Sequence, residues 1–290
     1  MVFIDEIQYL NDPTSFLKYL HDHYSHIKLI VSGSSTMEIR GKFGNSLAGR
    51  LIKFEIFPLS FEEFLIFKQK ENLANLVGKL INFESINNEL RFFYKEFLQF
   101  GGYPKVVLTN GVEMKRAYLR QLFESYIQKD IKDIGKIRDV ESFNMLIKVL
   151  AHQAGNLVNI SELSSKIGIS SPTLREWLLL LENTFVIKFI RPYAKSVRGE
   201  LTKTPKLFFV DNGIRNFCEE NFEITGNGFE NCFFAYLNNA YKAEHLNFYR
   251  TKDKQEIDFI LNGDPYELKL SYAGKRLTAL KYFEEKYGKK

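Results

Sequence analysis

An apolar run that leads directly into two carboxylates is the pattern that most constrains the fold of this chain. Val2, Phe3 and Ile4 are apolar or β-branched, and Asp5 and Glu6 follow them without a spacer. A buried parallel strand has this pattern when it brings acids to the carboxyl edge of a sheet, where open α/β folds bind their ligands. A strand that simply ends in two solvated acids is the alternative for this segment taken alone.

A second apolar run favours the ligand-binding interpretation. Residues 28–31 are mostly apolar, and the small residues Ser32, Gly33 and Ser34 follow them. A segment of helical length separates the two runs, so the order strand, helix, strand predicts a βαβ unit with polar tips at one sheet edge. In P-loop NTPases the first acid after such a strand helps to hold Mg²⁺. The second acid orients and deprotonates the attacking water.

The segments that follow, Leu47-Ala48-Gly49-Arg50 and residues 54–64, carry a family resemblance. With them the chain resembles the second half of an AAA+ module. More closely, it resembles a prokaryotic family that joins such an ATPase to a C-terminal domain of unknown function. The resemblance implies that Asp5 and Glu6 are the Walker B pair, with Asp5 as a Mg²⁺ ligand and Glu6 as the catalytic base.

The same resemblance assigns roles to three further residues. It implies that Ser32 or Ser34 occupies the sensor-1 position beside the nucleotide. It also makes Arg50 a candidate arginine finger, which would act on ATP held by a neighbouring copy in a homo-oligomer. A surface arginine beside a strand is the alternative for Arg50, because a finger is defined by the partner that it reaches.

One essential part of an ATP site has no counterpart in the sequence. No Gly-x-x-x-x-Gly-Lys-[Ser/Thr] loop occurs in the 290 residues. The backbone N–H groups of that loop cradle the phosphates, and its lysine and hydroxyl complete the site. In the family the loop precedes Walker B, so we expect this chain to be a truncated or split frame that binds ATP only where a P-loop is supplied.

Composition and charge set wider bounds. The net charge of +5 permits contact with nucleic acid, although binding requires that the charge be clustered. Cys218 and Cys232 have no metal-binding spacing, which predicts free thiols in a reducing, cytoplasmic compartment. No apolar run reaches membrane-spanning length, so no membrane association is expected.

Four regions are predicted along the chain. Residues 1–68 are assigned to the AAA+ core portion and residues 69–138 to a helical lid, within which Gly101-Gly102-Tyr103-Pro104 breaks the helical run. Residues 139–203 are assigned to a winged helix-turn-helix and residues 204–290 to an α/β domain. The predicted fold class is therefore α/β with an added helical part.

Helix start signals define the third region. Ser161 is a candidate cap for a short helix that ends at Gly168, and Ser171 with Pro172 marks the start of a second helix. A strand at residues 185–190 completes a winged helix-turn-helix pattern. The exposed face of the second helix offers one arginine and two glutamates, so a packing module is as well supported as a DNA-binding module.

The last region contains a second set of residues that could carry chemistry. Asp258 precedes a predicted hairpin, and Glu267 and Lys269 alternate along the strand that follows, so these two face the same side. Glu230, on the preceding helix, could add a carboxylate. Hard cations such as Mg²⁺ take carboxylate ligands, and a lysine beside the metal can stabilise a phosphorane charge.

This spacing resembles the PD-(D/E)XK nuclease superfamily, in which an acid, a hairpin and Glu-x-Lys form the metal site. The resemblance covers residues 230–269 and implies a restriction-endonuclease-like fold with Glu230, Asp258 and Glu267 as metal ligands. Lys269 would be catalytic with Glu267. Ile257 stands where many members have proline. Alternating Glu and Lys on a solvated strand is the simpler alternative.

The combined prediction is a P-loop (AAA+) ATPase-family protein, lacking its P-loop in these residues, that uses ATP and Mg²⁺ and acts on nucleic acid through a winged helix and a nuclease-like domain. DNA is the predicted partner. A non-catalytic module that binds DNA or protein is the rival interpretation, and an inactive gene remnant is the third.

Overall fold

The computed structural model describes residues 1–33, 52, 54–79, 84–131, 135–193, 204–241, 245–251, 255–270 and 278–288. Two predicted site residues, Ser34 and Arg50, lie outside these ranges. The architecture is a mixture of helices and sheets, as the α/β prediction requires.

The N-terminal segment forms the predicted βαβ unit. Strand β1 (Val2–Ile4) and strand β2 (Leu29–Val31) are parallel and in register, and helix α1 (Pro13–His23) connects them. Helix α1 begins where Asp12 accepts a hydrogen bond from the Ser15 N–H and Pro13 occupies the first turn. Ile7 and Leu17 form its small core against the two strands.

A run of helices follows, with bounds α2 (Phe61–Phe67), α3 (Glu71–Ala74), α4 (Glu84–Phe100), α5 (Pro104–Leu108) and α6 (Val112–Leu122), the last continuing into a π-helical segment (Phe123–Ile131). The capping box predicted at Ser60 and Glu63 is confirmed, because each side chain accepts a hydrogen bond from the backbone N–H of the other residue. Aromatic packing of Phe61, Phe64 and Phe97 joins α2 to α4.

Three helices occupy the middle of the chain: α7 (Val140–His152), α8 (Ile160–Ile167) and α9 (Ser171–Asn183). The prediction of Ser161 as the cap of α8 was wrong, since the Asn159 side chain accepts the Glu162 N–H and starts the helix two residues earlier. Ser170 caps α9, and Pro172 lies in its first turn. Four apolar side chains at helical spacing form the buried face of α9: Leu174, Trp177, Leu178, Leu181.

One five-stranded sheet organises the C-terminal part. Its strands are β3 (Ile187–Pro192), β4 (Lys206–Phe209), β5 (Leu246–Arg250), β6 (Glu256–Leu261) and β7 (Asp264–Tyr266), in the spatial order β4-β3-β5-β6-β7. Strands β3 and β5 are parallel, and the other neighbours are antiparallel. Because β3 pairs with β4, the sheet combines strands from the predicted winged-helix region and from the predicted C-terminal region.

Helices cover this sheet and lead into it. Helix α10 (Asn212–Glu219) follows β4, and α11 (Gly226–Tyr241) packs against the sheet through Phe234, which stacks on Phe208. Helix α12 (Thr278–Tyr287) packs on another part of the sheet through Phe283, which contacts Tyr249. Among the described residues, no helix combines the length and apolarity needed to cross a membrane.

The strand predicted to carry Glu267 and Lys269 is shorter than expected. Strand β7 ends at Tyr266, so the residues after it lie outside the sheet ladder. The reason is local: the Leu268 N–H donates to the side chain of Asp258 at 2.8 Å instead of to a neighbouring strand backbone.

Candidate functional site

The carboxyl ends of β1 and β2 bring Asp5 and Ser32 into contact. The Ser32 hydroxyl donates a hydrogen bond to Asp5 Oδ1, although 27 residues separate the two positions. Backbone bonds hold the strand ends together, since the Ser32 N–H donates to Ile4 O and the Ile7 N–H donates to Ser32 O, both at 2.9 Å. The parallel register of the strands therefore produces this pair.

Glu6 occupies a strained turn beside that pair. Its φ of 52° and ψ of 48° are in the left-handed region, which residues with a Cβ rarely adopt. Its N–H lies 3.1 Å from Asp5 Oδ1 and 3.3 Å from Ser32 Oγ, so the turn is fixed by both side chains. Such a conformation at the edge of a sheet is a frequent feature of functional sites.

The C-terminal candidate residues come together from three separate segments. Asp258 lies in β6, Glu267 and Lys269 follow β7, and Glu230 lies in the second turn of α11. Lys269 Nζ donates to Glu267 Oε1 at 2.6 Å, and the Leu268 N–H between them bonds to Asp258 Oδ2. The antiparallel pairing of β6 with β7 produces this arrangement.

Glu230, Asp258, Glu267 and Lys269, with the partners described below, are called the acid cluster. Neighbouring charges shift the pKa of several of these groups. Burial raises the pKa of Glu230 to about 7. The negative charge of Asp258 also raises this pKa, whereas the positive charge of Lys206 lowers it. Partial burial also raises the pKa of Glu267, against the hydrogen bond from Lys269. The bond to Glu267 raises the pKa of Lys269. Asp258 therefore lies close enough to Glu230 and Glu267 for its charge to disfavour theirs.

Two members of the acid cluster were missed by sequence reasoning. Lys206, the first residue of β4, pairs with Glu230 and with Glu256, and Glu256 also lies 3.3 Å from Arg250. The alternation of Glu256, Ile257 and Asp258 could have indicated that the two acids face the same side of a strand. No local signal identified Lys206, because its partners are distant in sequence.

The cluster offers carboxylate oxygens, the ligand type that hard divalent ions prefer, but these carboxylates are already engaged. Among the described residues, no group of three or more His, Cys, Asp or Glu side chains is arranged to hold a metal ion. Lysine ammonium groups pair with Glu230, Glu256 and Glu267. However, Glu267 Oε2 is buried without a hydrogen-bond partner. An orphaned carboxylate oxygen is a position that a cation would satisfy.

The helix expected to contact DNA presents few charges. Arg175 and Glu176 are exposed on α9. Leu179, one turn further along the helix, is 52% exposed. Burial raises the pKa of Glu182, against the attraction of Lys188. This surface therefore provides one cation and one exposed acid, which is a weak basis for sequence-specific readout.

A polar cleft of about 630 Å³ lies near the start of α11. Arg215 lines it with only 1% of its surface exposed, and its guanidinium pairs with Glu219 at 2.7 Å. The buried cation is matched by one carboxylate, and Glu162 and His152 also line the cleft, so its lining offers no unmatched cation for an anionic ligand.

Family comparisons agree with an AAA-type region at the N-terminus and with a domain of unknown function at the C-terminus. Residues 1–65 match the profile of an AAA domain, residues 91–223 match a domain of unknown function (DUF8612), and residues 225–290 match another (DUF4143). These matches support an AAA-type ATPase region joined to a C-terminal domain of unknown function.

Curated relatives match over most of this chain. An uncharacterized protein of Haemophilus influenzae is 30% identical over 264 residues, which are 89% of this chain and 61% of the relative. One from Methanocaldococcus jannaschii is 27% identical over 273 residues, 92% of this chain and 59% of the relative. The chain thus spans about six tenths of the length of these two relatives. No solved structure gives a significant match.

Proposed function

We propose that this chain is part of an ATPase-family protein that cleaves nucleic acid, with a nucleotide site at Asp5, Glu6 and Ser32 and a phosphodiester-cleaving site in the acid cluster. One observation carries the second part. Glu230 on α11 and Glu267 after β7 both lie close enough to Asp258 on β6 for its charge to raise their pKa. Lys269 bonds to Glu267 at 2.6 Å, and the Leu268 N–H between them bonds to Asp258.

Each residue of the acid cluster has a defined task in this proposal. Asp258 and Glu267 would hold Mg²⁺, and the Leu268 N–H fixes the Asp258 carboxylate through Oδ2. When bound, the metal supplies Lewis acidity and a more acidic water. Lys269, positioned by Glu267, neutralises charge that develops on the phosphoryl oxygens.

The N-terminal residues would serve ATP hydrolysis together with a P-loop, for which the 290 residues contain no sequence. Asp5, fixed by the Ser32 hydroxyl, would hold Mg²⁺, and Glu6 would orient water. Arg50 would act across a subunit boundary in a homo-oligomer. The AAA match over residues 1–65 supports this assignment.

The order of elements after residue 139 supports contact with DNA. Three helices, α7 to α9, are followed by the antiparallel hairpin of β3 and β4, which is the order of a winged helix-turn-helix. Because α9 presents few side chains that can read base edges, we expect binding with little sequence preference.

Cleavage of labelled DNA by the purified chain tests the proposal. We expect Mg²⁺ or Mn²⁺ to support cleavage of duplex or single-stranded DNA, and Glu267→Ala to reduce the rate at least about 100-fold while DNA binding is kept. Glu113→Ala, at a carboxylate whose side chain is 87% exposed, is the matched control and should leave cleavage unchanged. Chelation with EDTA should abolish cleavage.

A non-catalytic DNA-binding module is the second candidate, and one observation favours it. Lysine ammonium groups already pair with Glu230, Glu256 and Glu267, as they would in a site that has no metal. In that case the chain would bind DNA without cutting it in either metal, and Glu267→Ala would have no effect on any DNA-dependent property.

A further inference from the structure

Lys206 lies within the acid cluster as a buried cation. Only 2% of its surface is exposed, and its Nζ lies 2.9 Å from Glu230 Oε1 and also contacts Glu256 Oε1. Lysine is rarely buried to this degree unless it is paired. The two carboxylates therefore account for the position of the ammonium group.

Other contacts fix this ammonium group in place. The backbone of Lys206 pairs with Ile190 in β3 and forms a bridge with Leu157, so its Cα is held from two sides. The ring of Phe248 lies 5.5 Å from Nζ, within the range of a cation–π contact. The strand pairing, the two carboxylates and the Phe248 ring therefore hold the Lys206 ammonium group in one position within the cluster.

The acid cluster consequently divides into two halves. In one half, Lys206 pairs with both Glu230 and Glu256, and Arg250 lies 3.3 Å from Glu256. In the other half, Asp258 bonds to a backbone N–H, and Glu267 keeps one buried oxygen without a hydrogen-bond partner. The first half holds a buried lysine, whereas the lysine of the second half, Lys269, has a 44% exposed side chain and leaves Glu267 Oε2 without a partner.

We propose that Lys206 is a built-in cation that takes the place of a second divalent ion, so that the cluster holds a single Mg²⁺ or Mn²⁺ at Asp258 and Glu267. The inference rests on the proposed metal site of this cluster. It changes the role of Glu230 from a metal ligand to the partner of Lys206. Lys206 is thus a positioning residue that sets the metal stoichiometry.

Counting the Mn²⁺ ions bound per chain tests this proposal without relying on activity. Electron paramagnetic resonance of free Mn²⁺ gives the number directly. We expect one ion in the wild type, two in Lys206→Met, which keeps the length of the side chain but removes its charge, and one in Lys206→Arg, which keeps the charge. Emission from Trp177, the single tryptophan, reports whether each variant is folded.

The outcomes separate this inference from the proposed function. One ion in both the wild type and Lys206→Met would contradict the role of Lys206 and leave the metal site intact. No ion in the wild type would contradict the metal site and, with it, the inference. If Lys206→Met unfolds without metal, Mn²⁺ should restore the fold by binding the freed carboxylates, and failure to restore it would overturn the proposal.

Discussion

The Asp211 carboxylate accepts a hydrogen bond from the Gly102 N–H at 2.7 Å, although the two residues are 109 positions apart. The same carboxylate caps α10 through the Ile214 N–H at 2.9 Å. Asp211 therefore joins the Gly101-Gly102 turn of the helical region to the first helix after β4. Both are buried, so the bond connects two parts of the fold away from water.

The first prediction concerns the glycine beside this bond. Gly101 has φ +72°, and a Cβ there would lie 2.3 Å from Asp211 Oδ2. Gly111 has φ +82° with open space around it. Gly111→Ala should lower the free energy of unfolding by about 1 kcal/mol from backbone strain alone, and Gly101→Ala by at least about 2 kcal/mol more. Urea unfolding followed by circular dichroism measures both, and equal losses would show that the Asp211 contact is unimportant.

The second prediction is a pH dependence that arises from Asp211. Burial raises its pKa to about 6, against hydrogen bonds from Gly102 and Ile214, while the ordinary value is 3.8. The folded state therefore holds this proton more tightly, so the stabilisation is complete below about pH 4 and is lost as the pH rises through 6. Relative to Asp211→Asn, the wild type should lose on the order of 3 kcal/mol between pH 4 and 7. Parallel pH profiles of the two proteins would contradict the buried titration.

The third prediction concerns the strand tips of the proposed nucleotide site. Ser32→Ala removes the hydroxyl that donates to Asp5 and lies 3.3 Å from the Glu6 N–H. The Glu6 turn should then open more easily, so its amide should exchange with solvent faster by about 5- to 10-fold, which corresponds to the net worth of one hydrogen bond. Nuclear magnetic resonance measures this rate, and the exposed Ser25→Ala is the control. An unchanged Glu6 rate would show that Ser32 does not hold the turn.

The fourth prediction concerns the two thiols. Cys218 and Cys232 are free and buried, and burial raises the pKa of Cys232 to about 12. Because the thiolate is the reactive form, both should resist alkylation at pH 8 in the folded protein and react quickly in denaturant. Mass spectrometry after iodoacetamide treatment counts the modified residues, and rapid labelling of the folded chain would contradict their burial.

Short sequence patterns correctly predicted the elements that depend on neighbouring residues, such as apolar strands and capped helices. The apolar runs around Asp5 and Ser32 predicted a βαβ unit, and the parallel register of β1 and β2 confirms it. The Ser60 and Glu63 capping box also follows from spacing alone. The start of α8 was missed because Asn159, two residues earlier, supplies the cap.

Long-range pairing explains what the sequence did not reveal. Lys206 meets Glu230 and Glu256 only because β4, α11 and β6 pack together, and no spacing encodes that contact. The predicted strand through Glu267 and Lys269 ends early because Asp258 captures a backbone N–H. The alternation of residue types does not reveal where a side chain, here Asp258, accepts a backbone N–H in place of a carbonyl on a neighbouring strand.

Locating Mn²⁺ in crystals of the wild-type chain tests the central claim most directly. Anomalous scattering from Mn²⁺ identifies the ion without reference to activity. The proposal predicts one peak within about 2.5 Å of carboxylate oxygens of Asp258 and Glu267, and no peak between Glu230 and Glu256, where Lys206 lies. An absence of any peak at Asp258 and Glu267 in crystals soaked with excess Mn²⁺ would contradict it.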